Sequence, residues 1–323
     1  MSIIERALRK AQQRDKPVAT PVSASAGPGS VEALAPLEAA APVLPEDAGG
    51  RELLRQDDGS LAFHDLKQIV EVDLARLRDS GRLPPEYAAH QTDEEIRRIK
   101  WPLLSALAGR GGVAPARNNV VLVTSAEPSE GKSYASLNQA LSIVRDREMR
   151  VILVDGDVAL PGLTPTLGLD GALGLNDVLA DPTLDINEVI YRTTVDGLFF
   201  VPAGKWREHS PELMAGSRMP QVIQELGGRV GNGVVILDSP PLLATNEAQA
   251  VTRYVGHVLL VVRADRTEQR AVLDALALVD KSAQVSAVLN AVEASLLSKY
   301  YGQYYYGYGK KGGYGRYGHG ESR

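Results

Sequence analysis

Three short stretches of this chain carry residues suited to phosphate and metal chemistry. The apolar run NNVVLVTS leads into AEPSEGKS and then a helix-forming segment that starts near Tyr134, so Gly131, Lys132 and Ser133 fall at a strand-to-helix junction. There the loop N–H groups of Ser129, Glu130 and Gly131 and the positive end of the helix, with Tyr134 in its first turn, can face a polyphosphate nucleotide. Lys132 can reach its β and γ oxygens, and the Ser133 hydroxyl can ligate Mg²⁺. Ala126 stands where the strict phosphate-loop pattern has its first glycine, and a Gly-Lys-Ser tripeptide alone reads equally well as a turn with an exposed lysine. Two further apolar runs end in carboxylates: VILVDGD supplies Asp155 and Asp157, and GVVILDSPP supplies Asp238. One aspartate after a strand is as often a helix cap or a turn residue; three beside a Gly-Lys-Ser loop favour a metal–phosphate site. Mg²⁺ takes few carboxylates and completes its shell with phosphate oxygens and water, which suits Asp155 and Asp238 as direct or water-mediated ligands.

These residues converge only if the runs that precede them share one sheet. NNVVLVTS, RVILVDGD, GLFFVPAG, GVVILDSPP, HVLLVVRA and QVSAVLN are short, nearly continuous apolar stretches bounded by Gly, Asn, Asp or Pro. Such runs predict strands buried on both faces, as in a parallel sheet covered by helices, with crossover helices near 132–148, 211–227, 245–254 and 267–281. Parallel strands deliver their C-terminal ends to one edge, where ligands bind in open α/β folds. Ahead of this core (118–294), TDEEIRRIKWPLLSAL predicts a helix over 92–108, with Thr92 as N-cap and acidic residues in the first turn. The chain opens on a short amphipathic helix (1–15), followed by an Ala/Pro-rich flexible linker over 16–60. Residues 61–298 form the main domain.

The whole chain has 323 residues, no cysteine and a net charge of −5. Absence of cysteine excludes a disulfide scaffold, a thiolate metal site and cysteine catalysis. No stretch approaches the roughly 18 consecutive apolar residues of a membrane span, so a cytoplasmic protein is expected. The mild acidity argues against nucleic acid as a partner. Tyrosine is unevenly spread: eight of the 12 tyrosines lie in the Gly-rich segment 299–323. They are Tyr300, Tyr301, Tyr304, Tyr305, Tyr306, Tyr308, Tyr314 and Tyr317. Five basic residues there (Lys299, Lys310, Lys311, Arg316, Arg323) against Glu321 give this tail a charge of +4 before His319 and the terminal carboxylate.

Together, SAEPSEGKS, VILVDGDVALP, VVILDSPP, EEIRRIKWPLL and the tyrosine-rich end resemble the bacterial tyrosine kinases that govern exopolysaccharide chain length, in their soluble autokinase form. The resemblance implies a P-loop NTPase fold binding ATP and Mg²⁺ at the sheet edge, with tail tyrosines phosphorylated in a neighbouring subunit of a ring. It implies that Lys132 holds phosphate, Ser133 and Asp238 serve the metal, Asp155 lies beside the metal, and Asp157 accepts the phenol proton. Asn290 resembles the residue that contacts adenine, although a strand-terminating turn explains it equally well. Glu94, Arg97 and Lys100 resemble the family's subunit-joining face. The implied partners are further copies of the chain, a membrane chain-length-determinant (polysaccharide co-polymerase) protein that recruits it to the inner face of the membrane, and a tyrosine phosphatase. The sequence departs from the family pattern at Leu160, where an Arg usually precedes the proline, and at Ser129, where Gly is commoner. Competing readings are a partition or septum-positioning ATPase and a degenerate nucleotide-binding scaffold.

Overall fold

The computed structural model describes residues 63, 66, 68–107, 119–146 and 149–292. The expected N-terminal helix, linker and tyrosine tail lie outside the described residues, as does every tail tyrosine named above. The architecture is an eight-stranded, mostly parallel sheet flanked by helices. In chain order the elements are β1 (Ile69–Val70), α1 (Leu74–Asp79), α2 (Glu86–Leu107), β2 (Val120–Ser125), α3 (Lys132–Val144) and β3 (Val151–Asp155). They continue with α4 (Leu175–Ala180), β4 (Tyr191–Thr193), β5 (Leu198–Val201), α5 (Ser210–Ala215), α6 (Arg218–Val230) and β6 (Val234–Asp238). The last are α7 (Asn246–Val251), β7 (His257–Arg263), α8 (Gln269–Leu278) and β8 (Gln284–Asn290).

All six expected strands form, in the spatial order β1-β4-β5-β3-β6-β2-β7-β8, and only the β4–β5 pairing is antiparallel. β2, β3, β5 and β6 are buried along their whole length, so Val, Ile and Leu on alternate sides enter two separate cores, one on each face. β8 differs from expectation: it is a partly exposed edge strand, with Leu289 turned largely to solvent. Two short strands (β1, β4) and helix α4 lack a sequence signal, being too brief to show a period. The helix expected over 211–227 is two helices, because the chain breaks at Gly216, whose N–H bonds back to the Leu213 carbonyl.

Helix α2 begins at Glu86, six residues before the expected cap, and Thr92 lies inside it. Pro85 just before the first residue suits a helix start, since the missing N–H would have no partner there. Its buried stripe is Ile96, Lys100, Leu103 and Leu107, a spacing that lays one face along the sheet-covering helix α3. A lysine in that stripe requires partners. Lys100 has them: its ammonium donates to Asp146 Oδ2 at 2.8 Å and to the Ser142 carbonyl at 3.3 Å, at the C-terminal end of α3, where the helix dipole favours a cation. Arg145 pairs with Asp93 at 2.6 Å alongside. The expectation that Lys100 belongs to a subunit-joining face is therefore corrected: it is 4% exposed and engaged within its own chain, while Glu94 and Arg97 face solvent. Lys100→Ala should lower unfolding free energy by about 1–3 kcal/mol in a urea titration, through two lost charged hydrogen bonds; an unchanged midpoint would show that the pair holds nothing together.

Candidate nucleotide and metal site

The site lies where β2, β3 and β6, three adjacent parallel strands, end. Lys132 is the first residue of α3 and is mostly buried. Gly131 takes the left-handed backbone (φ 96°), and a Cβ there would stand 2.0 Å from Asn290 Nδ2, so only glycine fits the turn into the helix. Ser129 is also left-handed (φ 65°), a strained conformation for a non-glycine residue. Ala126, in place of the first motif glycine, is fully buried with the apolar core, so its methyl group costs the loop no room.

Glu130 braces the loop. Its carboxylate accepts from the Glu127 N–H at 2.7 Å, from the Arg263 N–H at 3.3 Å and from the Thr267 hydroxyl, tying the loop to the end of β7. Its side chain is thereby used up, which leaves Glu130 only its backbone for a ligand. Asn290 ends β8 and donates from Nδ2 to the Glu130 carbonyl at 2.9 Å, so its amide group, too, holds the loop's backbone. Neither brace was visible in the sequence, because each joins residues more than a hundred positions apart. Tyr134 lies one turn into α3, half-buried, and burial and then the Glu95 charge raise its phenol pKa.

Asp155 and Asp238 are direct neighbours across β3 and β6, and both are fully buried. Asp155 Oδ2 accepts three hydrogen bonds, from the N–H groups of Leu163 (2.9 Å) and Thr164 (2.7 Å) and from the Thr164 hydroxyl (2.8 Å). Its Oδ1 has none. Asp238 Oδ1 accepts from the Ser136 hydroxyl at 3.0 Å, and its Oδ2 is likewise unpartnered. Ser133 closes the arrangement: a Cβ on Gly162 would fall 2.6 Å from its hydroxyl, so the loop after β3 folds directly onto the phosphate loop. Burial, then the adjacent Asp155 charge, pushes the Asp238 carboxyl up to about 7, against the pull of Ser133, Lys132 and Ser136. Asp155 is also raised by burial, opposed by Thr164 and Leu163.

Two buried, unpartnered carboxylate oxygens beside a lysine and a serine are the donor set of a hard divalent cation that takes its remaining ligands from phosphate and water. Among the described residues no cluster of three or more His, Asp or Glu could hold a metal without such help. The residues thus fit a Mg²⁺–nucleotide.

Asp157 lies at the rim. Its Oδ1 accepts from the Leu160 N–H at 3.1 Å, and burial raises its pKa, while that hydrogen bond and Lys132 lower it. The structure brings Lys132, Ser133, Asp155, Asp157 and Asp238 to one sheet edge, as the spacing predicted. Glu94 and Arg97 lie apart from it on α2.

This is the class of P-loop nucleotide-binding α/β proteins. No protein-family model matches the chain. It is 30% identical over 226 residues to EpsB of Ralstonia nicotianae, assigned as a tyrosine-protein kinase, a match covering 69% of this chain and 28% of that protein. The tyrosine-protein kinase Wzc of Salmonella typhimurium is 30% identical over 170 residues, covering 53% of this chain and 22% of Wzc. The chain thus spans under a third of the length of these curated relatives. Among solved structures, the BceF tyrosine kinase domain superposes with a TM-score of 0.55 at 26% identity, covering 72% of this chain and 96% of that one. The kinase domain of the Escherichia coli tyrosine kinase ETK does so with 0.50 at 28%, covering 56% and 71%. By sequence and fold, the core of this chain is similar to the kinase domains of bacterial tyrosine kinases.

A raised carboxyl pKa destabilises the metal-free protein once pH exceeds the unfolded value: stability is full below about pH 4 and falls as pH rises through about 7. Asp238→Asn should therefore raise the metal-free melting temperature at pH 8, by up to about 4 kcal/mol of stability, and change little at pH 4. An equal or lower melting temperature at pH 8 would contradict it. Ser129→Gly should stabilise by about 1 kcal/mol, read by urea denaturation, if the left-handed turn is strained; a loss of stability would argue otherwise.

Proposed function

We propose that this chain is an ATP-dependent protein-tyrosine autokinase, acting in polysaccharide biosynthesis or export and modifying its own C-terminal tyrosines. The observation that carries this reading is the pair of unpartnered buried oxygens on Asp155 and Asp238, set beside Lys132 with Asp157 at the rim. Lys132 and the loop N–H groups from Ser129 to Ser133 would hold the β- and γ-phosphates, and Ser133 and Asp238, with Asp155 beside them, would hold Mg²⁺. When bound, that ion neutralises charge on the phosphoryl oxygens, which is most of what such a loose transition state needs.

The chain's own residues do the rest. A tyrosine phenol, with a pKa near 10, is ionised only about one part in a thousand at pH 7. Asp157, its pKa raised by burial, would orient the phenol and take its proton. The phenol oxygen forms a bond to the γ-phosphorus, the bond from that phosphorus to the β–γ bridging oxygen breaks, and ADP leaves with its electron pair.

The acceptors are the eight tail tyrosines, presented to a neighbouring copy in a ring. Each phosphate adds roughly −1.5 to −2, so two or three modifications cancel the tail's +4 and further ones reverse it. Repulsion among phosphorylated tails would then loosen the ring. No helix among the described residues is long and apolar enough to cross a membrane; a membrane co-polymerase partner would bring the chain to the membrane's inner face, and a tyrosine phosphatase would reset it.

Incubation with Mg²⁺-ATP should yield phosphotyrosine on the tail by mass spectrometry, and Lys132→Ala should abolish it. Phosphate release without tail phosphotyrosine would favour a partition-type ATPase. Asp157→Asn should keep nucleotide binding and slow tail phosphorylation by about 10²-fold or more; an unchanged rate would refute the base assignment. Light scattering should give a smaller particle for the phosphorylated protein than for the dephosphorylated one, and identical masses would count against charge-driven dissociation.

A further inference from the structure

Beside the aspartate loop lies a shallow cleft that the nucleotide site does not use. It is walled by Gly156, Val158, Ala159, Pro211 and Pro240, with Trp206 and Glu247 on its lining. The cleft encloses only about 10 Å³, room for at most one water, so a phenol ring cannot enter it and must lie across the rim. Of the cleft's lining, Trp206 is 55% exposed; Leu160, which follows Ala159 of the wall and whose N–H caps Asp157, is 81% exposed.

Trp206 is exposed but not loosely held. The buried carboxylate of Asp177 grips both of its neighbours, accepting from the Lys205 N–H at 3.1 Å and from Arg207 Nη2 at 2.9 Å. Asn176, also buried, donates to the Lys205 carbonyl at 2.6 Å and to the Ser210 hydroxyl at 2.7 Å, and Ser210 in turn accepts from the Arg207 N–H. Two buried polar side chains from α4 thus fix a loop that turns an indole outward, beside the exposed Lys205, Glu208 and His209. A fixed aromatic face costs little ordering entropy when it binds a ring.

We infer that Trp206 is the platform on which an acceptor tyrosine of a second copy's tail docks, its ring lying across the rim of the cleft beside the aspartate loop. This deepens the kinase reading and rests on it. Charge bears on the occupant: the tail carries +4, Glu247 lines the cleft and its charge acts on Asp157, and Arg207 beside Trp206 is paired with Asp177, leaving Lys205 as the exposed cation of this loop. Tail lysines and arginines can also stack on the indole face. Trp206 acts on the ring's position and takes no part in the proton or phosphoryl transfer.

The test uses the full chain carrying Trp101→Phe, which leaves Trp206 as its one tryptophan, and a synthetic peptide of residues 299–323. Adding the peptide should shift Trp206 emission in a saturable way with or without ATP. At saturating Mg²⁺-ATP, Trp206→Ala should raise KM for the peptide about tenfold with kcat within twofold, and Trp206→Phe should restore most of it. Unaltered emission, an unchanged KM, or a fall in kcat alone would overturn the platform. If no peptide is phosphorylated by the unsubstituted chain, the kinase reading fails, while the emission titration still decides whether the tail docks at Trp206. Mixing Lys132→Ala chains with chains whose tail tyrosines are phenylalanine gives the source: phosphate on the Lys132→Ala tail supports a neighbour's tail, and none overturns it.

Discussion

Two carboxylates that lie side by side in a dry interior cannot both be charged at low cost without a cation, and the arrangement of this protein follows from that constraint. Asp155 and Asp238 occupy matched positions on adjacent strands, and one oxygen of each is left without a partner. The sheet is what makes such a pair possible. Strands buried on both faces bring their ends to one edge and exclude the water that would otherwise solvate the charges. With a pKa of about 7, Asp238 therefore keeps its proton through the mildly acidic range until a cation arrives.

The elements around the pair keep it in that state. Thr164 and Leu163 saturate one oxygen of Asp155, and the Thr164 hydroxyl also accepts from the Ala203 N–H at 2.9 Å, linking the aspartate loop to the end of β5. Glu130 and Asn290 anchor the phosphate loop to β7 and β8, so Lys132 and the loop N–H groups are held before any phosphate binds. At the other end of α3, Lys100 fastens the same helix to α2. The helix that presents the phosphate loop is thus fixed at both termini, one by the sheet edge and one by a buried ammonium, and preorganisation of this kind is what electrostatic catalysis requires.

Much of this was legible in the sequence because it is periodic or local. The six apolar runs are nearly unbroken, and two of the three aspartates directly follow one, with Asp157 two residues beyond Asp155, so fold class and convergence at one edge could be read together. The failures have physical causes. β1, β4 and α4 are too short to establish a period, and α2 begins at a proline-preceded glutamate that carries less local signal than the acidic cluster after Thr92. Lys100 reads as a surface charge because nothing near it in sequence reveals Asp146. The braces on Glu130 and the grip of Asp177 on both sides of Trp206 are products of tertiary packing and leave no mark on spacing.

The measurement closest to the central claim is the proton count on binding Mg²⁺-ADP, obtained by calorimetry at pH 6.5 in buffers of different ionisation enthalpy. If a cation replaces the proton that the buried pair otherwise keeps, binding should release well over half a proton per site, given an Asp238 pKa of about 7, and Asp238→Asn should remove that release. Binding with no proton released by the unsubstituted protein would contradict the account.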